Sequence, residues 1–183
     1  MGRPKQLLPL NEKPLISHCL ETIISSGIED VTVVLGEQAT EMRDCLDDFR
    51  SKQKIRILFN DAPESEMAES VRIGCRAIDT SCSGVMICLC DHPLVSKETI
   101  KEMVAFHEED PEKIIIPVYQ GKRGHPTLFP RAVIAQVFEG LTLREIIRKN
   151  PERLRLAEVP DEGITIDLDT TEDYRKVLKR ESP

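Results

Sequence analysis

Tryptophan is missing from this chain, and aromatic residues make up only 4% of its 183 positions. A core here must be packed from aliphatic side chains, and with 40% hydrophobic residues there are enough of them. A basic surplus is missing as well. Lys and Arg number 25 against 32 Asp and Glu, giving a net charge of −7 and a pI near 5.2. That balance argues against general nucleic-acid binding, which relies on a basic surface displacing counterions. No apolar run approaches the roughly 20 residues of a membrane span, and no basic-then-apolar leader opens the sequence, so no membrane association is expected. The six cysteines include no C-x-x-C pair and are too few to staple a chain of this length. The expected setting is a reducing cytoplasm. Cys88 and Cys90, which alternate in an apolar run, read as buried thiols on one face of a strand.

Internal repeats, low-complexity tracts and linkers are absent too, so a single domain over 1–183 is expected. What the chain does have is a regular alternation of two periodicities. Leu15, Ile16, Cys19, Leu20, Ile23 and Ile24 form a helical stripe between Pro14 and Gly27. The β-branched run Val31–Leu35 follows as a buried strand. Met42, Cys45, Leu46 and Phe49 take helical spacing, Ile55–Phe59 is a strand, and Met67, Val71, Cys75 and Ile78 mark another helix. Val85–Cys90 reads as a strand, Ser96 as the cap of a helix, and Lys113–Val118 as a strand. After a loop over Gly121–Gly124 come a short extended piece at Leu128-Phe129 and helices near Ala132–Phe138 and Thr142–Lys149. Strands over Leu154–Val159 and Ile164–Ile166 and a last helix from about Thr170 complete the series. This pattern predicts a three-layer α/β/α sandwich with a mostly parallel sheet.

In such sheets ligands bind beyond the carboxyl ends of the strands, so polar residues at strand exits are the candidates. Asp91, in Cys90-Asp91-His92-Pro93-Leu94-Val95, leaves the most apolar strand; equally, it reads as a turn aspartate ahead of proline. Asp167 and Asp169 leave the Ile164–Ile166 strand, and either Asp169 or Thr170 is expected to cap the last helix. Arg3 and Lys5 lie in a Gly/Pro-rich opening segment suited to polyphosphate, or to a solvated tail. Gly121-Lys122-Arg123-Gly124-His125-Pro126 brackets two cations and a histidine between glycines, as an anion-approaching loop or a charged turn would. Asn60, at a strand exit, and Ser70, on the following helix, are placed at the same edge. Two carboxylates from separate strand exits, set among phosphate-binding cations, would suit Mg²⁺, which takes one or two carboxylates and completes its shell with phosphate oxygens.

These segments, in this order, resemble the nucleotidyltransferases that make molybdenum cofactor dinucleotides, and among them the molybdenum cofactor cytidylyltransferases. The resemblance implies the Rossmann-like fold of nucleotide-diphospho-sugar transferases. It implies that Lys5, in Met1-Gly2-Arg3-Pro4-Lys5-Gln6-Leu7-Leu8-Pro9-Leu10, is the phosphate-binding lysine, helped by Arg3. Asn60 and Ser70-Val71-Arg72-Ile73-Gly74 would line the base and ribose, which makes Asn60, Ser70 and Gly74 nucleotide-binding residues. Asp91 and Asp167 would hold Mg²⁺, with Asp91 catalytic, and Arg123, Gly124 and His125 would bind the acceptor. The implied reaction is transfer of CMP from CTP to a phosphate acceptor such as molybdopterin, with release of pyrophosphate and with a molybdoenzyme as the downstream partner.

The sequence also departs from the family pattern. A strand and glycine-rich loop of the form L-A-A-G-x-S-x-R would precede Met1-Gly2, and this sequence does not contain them. Glu66 and Ala68 stand where glycine and serine are usual, and Gly140-Leu141-Thr142-Leu143-Arg144 only partly matches a glycine–aspartate–arginine segment. Two competing expectations therefore stand: a nucleotidyltransferase for another small phosphate, and a non-catalytic module that binds a nucleotide or pterin or chaperones a partner enzyme.

Overall fold

The computed structural model describes residues 5–36, 42, 45–47, 49, 55–62 and 67–181. A 3₁₀ turn at Lys5–Leu7 leads into a small hairpin of β1 (Pro9–Leu10) and β2 (Lys13–Pro14). Its two-residue loop, Asn11-Glu12, has positive φ at both positions, the geometry that matches the twist of paired strands. Helix α1 (Leu15–Ser25) buries Leu15, Ile16 and Leu20 and stops at Gly27, whose φ is 90°. Strands β3 (Val31–Gly36) and β4 (Ile55–Asn60) pair in parallel, in register from Val31↔Ile55 to Gly36↔Asn60. Residues 42, 45–47 and 49 are helical, as their spacing predicts. Helix α2 (Met67–Ala77) packs on the β3–β4 pair, with Val34 against Gly74.

The second sheet is built from β5 (Gly84–Ile87), β6 (Ile114–Tyr119), β7 (Lys122–Arg123), β8 (Thr127–Pro130) and β9 (Leu154–Glu158). Helix α3 (Lys97–Glu109) connects β5 to β6 and starts at Ser96, whose hydroxyl accepts from the Thr99 amide at 3.2 Å. Short α4 (Arg131–Ile134) and α5 (Leu143–Lys149) follow β8, and α6 (Thr171–Glu181) closes the described chain. Thr142 and Glu145 form a reciprocal capping box on α5, which gives the Gly140–Arg144 segment a local structural job.

The sheet is mixed rather than mostly parallel. β8 runs antiparallel to both β5 and β6, because the β6–β7 hairpin turns the chain back on itself before β8 begins. That hairpin also corrects the expected loop. Gln120 and Gly121 both take positive φ, so Lys122 and Arg123 are paired strand residues opposite Tyr119 and Val118. The run over Val85–Cys90 is strand only to Ile87, opposite Thr127; the partner's next residue, Pro126, has no N–H to extend the ladder. Cys88 lies beyond the strand end and is exposed, against the expectation of a buried strand thiol. Ile164–Ile166 is not a strand either. Asp161 accepts from the Gly163 amide at 2.8 Å and winds Glu162–Thr165 into a 3₁₀ turn.

Two large aliphatic clusters hold the layers together. One surrounds Ile114, Phe129, Val137 and Ile146, and the other surrounds Leu20, Leu35 and Leu46 on the α1 side of β3. Asp161 also accepts from Ser96 N and Thr99 Oγ1, at 2.9 and 2.7 Å, and so pins the loop after β5 to the 3₁₀ turn. The contact there is closer than any side chain allows: a Cβ on Gly163 would stand 2.1 Å from the Leu94 carbonyl oxygen. Gly163→Ala should therefore destabilise the fold by about 1–3 kcal/mol in chemical denaturation. Gly36→Ala, where an added Cβ meets nothing within 4 Å, should stay within about 0.5 kcal/mol of the parent. Equal losses at the two positions would show that the 94/163 contact is not a tight one.

Candidate active site

The opening 3₁₀ turn is held in place by apolar packing below it. Leu10 and Leu15 are buried with Leu168 and Val177, and Tyr174 donates its hydroxyl proton to the Pro9 carbonyl. This seats Lys5 over the loop that follows β5. Its ammonium lies 3.0 Å from Asp91 Oδ2 and 3.0 Å from Asp169 Oδ1, with the Asp91 side chain 22% exposed and that of Asp169 63%. The other Asp91 oxygen, Oδ1, is 2.9 Å from His92 Nδ1. Two segments are spliced directly here: the Leu168 amide donates to the Asp91 carbonyl at 2.9 Å. Asp167 and Asp91 are thus at the same rim, and Asp167 is exposed.

The charges follow from this arrangement. The hydrogen bond from His92, and after it the Lys5 ammonium, hold the Asp91 carboxyl well below the usual carboxylate range in spite of partial burial. Burial opposes the charge on Lys5, but its bonds to Asp169 and Asp91 prevail and raise its pKa. Both groups are therefore fully ionised at neutral pH. His125 differs: burial, then the neighbouring His92, push its imidazole below 6.5. The two rings meet edge to face at 4.9 Å, and His125 Nδ1 is buried without a hydrogen-bond partner.

Gly124 and His125 are fixed by backbone. Gly124 N donates to Pro117 O and His125 N to Ile164 O, each at 2.9 Å. A Cβ on Gly124 would lie 2.2 Å from Ile164 O, so glycine is required there by close approach. Arg123 projects from exposed β7, next to this junction. On the other side, buried Asn60 donates Nδ2 to Ser70 Oγ at 3.0 Å and accepts from the Ala62 amide at 3.2 Å. Gln6 and Ser70 border one common cavity, which connects this pair to the Lys5 turn. Gly74 also borders it, but its defined contact is helix packing on Val34, at 3.4 Å from an added Cβ. Arg3 and Glu66 lie outside the described residues.

Two participants escaped the sequence reading. His92 looked like part of a turn before proline, yet it carries the bond that depresses the Asp91 pKa. Asp169 was one of two cap candidates for the last helix. Thr170 is the cap, since its hydroxyl accepts from Asp173 N at 3.1 Å while Asp173 Oδ2 accepts from Thr170 N. That leaves Asp169 for Lys5. The available signal was the Thr170-x-x-Asp173 spacing, which already marks the residue before it as unneeded for capping.

Among the described residues no cluster of three or more His, Cys, Asp or Glu side chains forms a ready metal cage. The donor set at the rim fits one that takes one or two carboxylates and completes its shell with substrate oxygens. No helix of the described residues is long and apolar enough to cross a membrane.

The chain is similar to several known proteins. A protein named nicotine blue oxidoreductase, from Paenarthrobacter nicotinovorans, is 29% identical over 190 residues, covering 97% of this chain and 90% of that one. Rv0371c of Mycobacterium tuberculosis H37Rv shares the fold at a TM-score of 0.81 and 24% identity, over 98% of this chain and 91% of its own. The structure of its complex with manganese superposes at a TM-score of 0.78, with 23% identity over 97% and 93% of the two chains. A nucleotidyl transferase from Methanothermobacter thermautotroptrophicus, at 20% identity over 97% and 84% of the two chains, also has a TM-score of 0.78. The model of the MobA-like NTP transferase domain matches residues 1–154. The chain belongs to the MobA-like NTP transferase family and is a nucleotidyltransferase.

Proposed function

We propose that this protein transfers CMP from CTP to a small acceptor bearing a phosphate monoester, of the molybdopterin type, and releases pyrophosphate. The observation that carries the reading is the Lys5 ammonium held 3.0 Å from Asp91, at the rim that Asp167 shares. An acceptor phosphate oxygen attacks the α-phosphorus, and the bond from that phosphorus to the bridging oxygen of the β-phosphate breaks. Negative charge gathers on the departing pyrophosphate. Lys5, assisted by Arg3, is the group that meets it. Mg²⁺, held by Asp91 and Asp167, would supply further positive charge at the α-phosphate; manganese in the Rv0371c complex supports a divalent ion at this fold. No side-chain nucleophile is needed, because positioning and charge stabilisation dominate such transfers.

The remaining residues divide between the two substrates. Asn60 and Ser70 hold each other's polar groups at the nucleotide side and present them to ribose and base, with Gly74 keeping α2 close against β3. On the acceptor side Arg123 faces the phosphate monoester. Gly124, packed against the Ile164 backbone, fixes the end of this loop, and neutral His125 lies beside it.

Three measurements check the proposal. CTP with Mg²⁺ should raise the melting temperature more than GTP with Mg²⁺ does, and equal or absent shifts would remove the cytidylyl assignment. Asp91→Asn and Lys5→Ala should each lower pyrophosphate release by roughly 10²–10³-fold with the circular dichroism spectrum unchanged; activity retained in Asp91→Asn would mean that the metal site is elsewhere. Arg123→Ala should raise the KM for the acceptor about 10-fold or more while leaving the KM for CTP within about 2-fold. The reverse ranking would exchange the two loops.

A further inference from the structure

Arg123 and His125 are near neighbours in the chain but lie in different surroundings. Arg123 is exposed on β7, whereas His125 turns its ring inward and its Nδ1 is buried. There it meets the ring of His92 edge to face, at 4.9 Å. His92 in turn places Nδ1 2.9 Å from Asp91 Oδ1, and its side chain is only 10% exposed. Three side chains thus run in series from the β7–β8 junction to the carboxylate at the rim.

The chemistry of the last contact sets its direction. An ionised carboxylate only accepts, so the hydrogen lies on Nδ1 and His92 is the donor. That bond fixes Oδ1 and, with it, the rotation of the whole Asp91 carboxylate. Lys5 is a poorer guide, being a compact charge that is shared with Asp169 and, in the proposed reaction, with the departing pyrophosphate. The His92 ring is itself held. Its amide donates to Leu89 O at 3.3 Å and its carbonyl accepts from Val95 N at 3.5 Å, so a turn closes on either side of the residue. His125 is tied through its own amide to Ile164 O at 2.9 Å. The cavity that both rings line, together with Pro93, Val95, Ile100 and Pro126, measures only about 20 Å³. That is room for about one water, so neither ring can turn over within it.

We infer that His92 is the positioning residue for Asp91, and that His125 acts by holding the His92 ring rather than by binding the acceptor. What Asp91 does once positioned rests on the transferase reading; the series of contacts does not. Partners that hydrogen-bond a metal-binding group from outside commonly carry about 10–100-fold in metal affinity or activity. The β7–β8 junction thereby contributes twice, with Arg123 facing the acceptor and His125 steadying, through His92, the carboxylate on which Mg²⁺ would sit.

Two experiments test this. The first uses no nucleotide and records nitrogen–proton correlation spectra of the histidine rings at mildly alkaline pH. His92 Nδ1 should carry a slowly exchanging proton, and His125→Ala should speed its exchange with water by about 10-fold or more. A bare Nδ1 overturns the bond to Asp91, and an unchanged exchange rate in His125→Ala overturns the part given to His125. The second measures pyrophosphate release with CTP, Mg²⁺ and molybdopterin, on variants whose circular dichroism matches the parent. His92→Phe keeps a ring and loses the donor, so kcat should fall roughly 10–100-fold with both KM values within about 2-fold of the parent. His92→Asn sets an N–H at the same number of bonds from the backbone and should restore kcat to within about 3-fold of the parent. A residue that merely filled space would be replaced better by phenylalanine than by asparagine, and that ranking overturns the proposal. His125→Ala should lower kcat, leave the KM for molybdopterin unchanged and add nothing to the loss in His92→Phe; a raised KM, or an additive loss, returns His125 to the acceptor. A parent that releases no pyrophosphate overturns the transferase reading, and the ring spectra then decide the contact series by themselves.

Discussion

One ammonium group joins three parts of the chain that are distant in sequence. Lys5 reaches Asp91, 86 residues away, and Asp169, 164 residues away. Held apart, the partly buried Asp91 carboxylate and Lys5 ammonium would each be a poorly solvated charge. Brought together, each charge supports the other, and the opening turn is docked against the carboxyl end of the second sheet. The apolar floor of Leu10, Leu15, Leu168 and Val177 makes the docking geometric as well as electrostatic, because it fixes the height from which Lys5 reaches down.

The same arrangement suits the proposed role of the rim toward polyphosphate. Asp91 uses one oxygen for His92 and the other for Lys5, yet a carboxylate has about four lone-pair sites, so capacity to accept remains. Lys5 is shared between two acids, one of them largely solvated, and the Asp169 arm is the weaker hold since exposed ion pairs contribute little. An incoming phosphate competes with Asp169 far more readily than with Asp91. The site is thus arranged to exchange one anion for another at Lys5 while Asp91 keeps its charge and place.

Much of this was legible in the residues. Aliphatic periodicity marked α1, β3, β4, α2 and α6 because each has one dominant apolar face or a buried β-branched run. Strand exits drew attention to Asp91 and Asn60 for a topological reason that holds whatever the details of the sheet. What stayed hidden depended on partners. β5 is shorter than its apolar run because Pro126 stops the ladder, and β8 is antiparallel because Gln120 and Gly121 reverse the chain tightly; neither fact belongs to the strand it affects. Ile164–Ile166 looks like a strand by composition, and an aspartate three residues earlier winds it into a turn. His92 and Asp169 were hidden for the same reason, their roles being set by side chains 1 and 164 residues away.

The cavity between the two sheets reaches from the fold to the rim. Along β5 the cavity runs from Gly84 to Cys90, the residue before Asp91, and at its other end it reaches Gln6, the residue after Lys5. The separation of β3 from β5 sets the distance between Asn60 at the end of β4 and Asp91 beyond the end of β5. In the proposed reaction that distance has to stay constant, so that base and ribose lie at one end and the reacting phosphorus at the other.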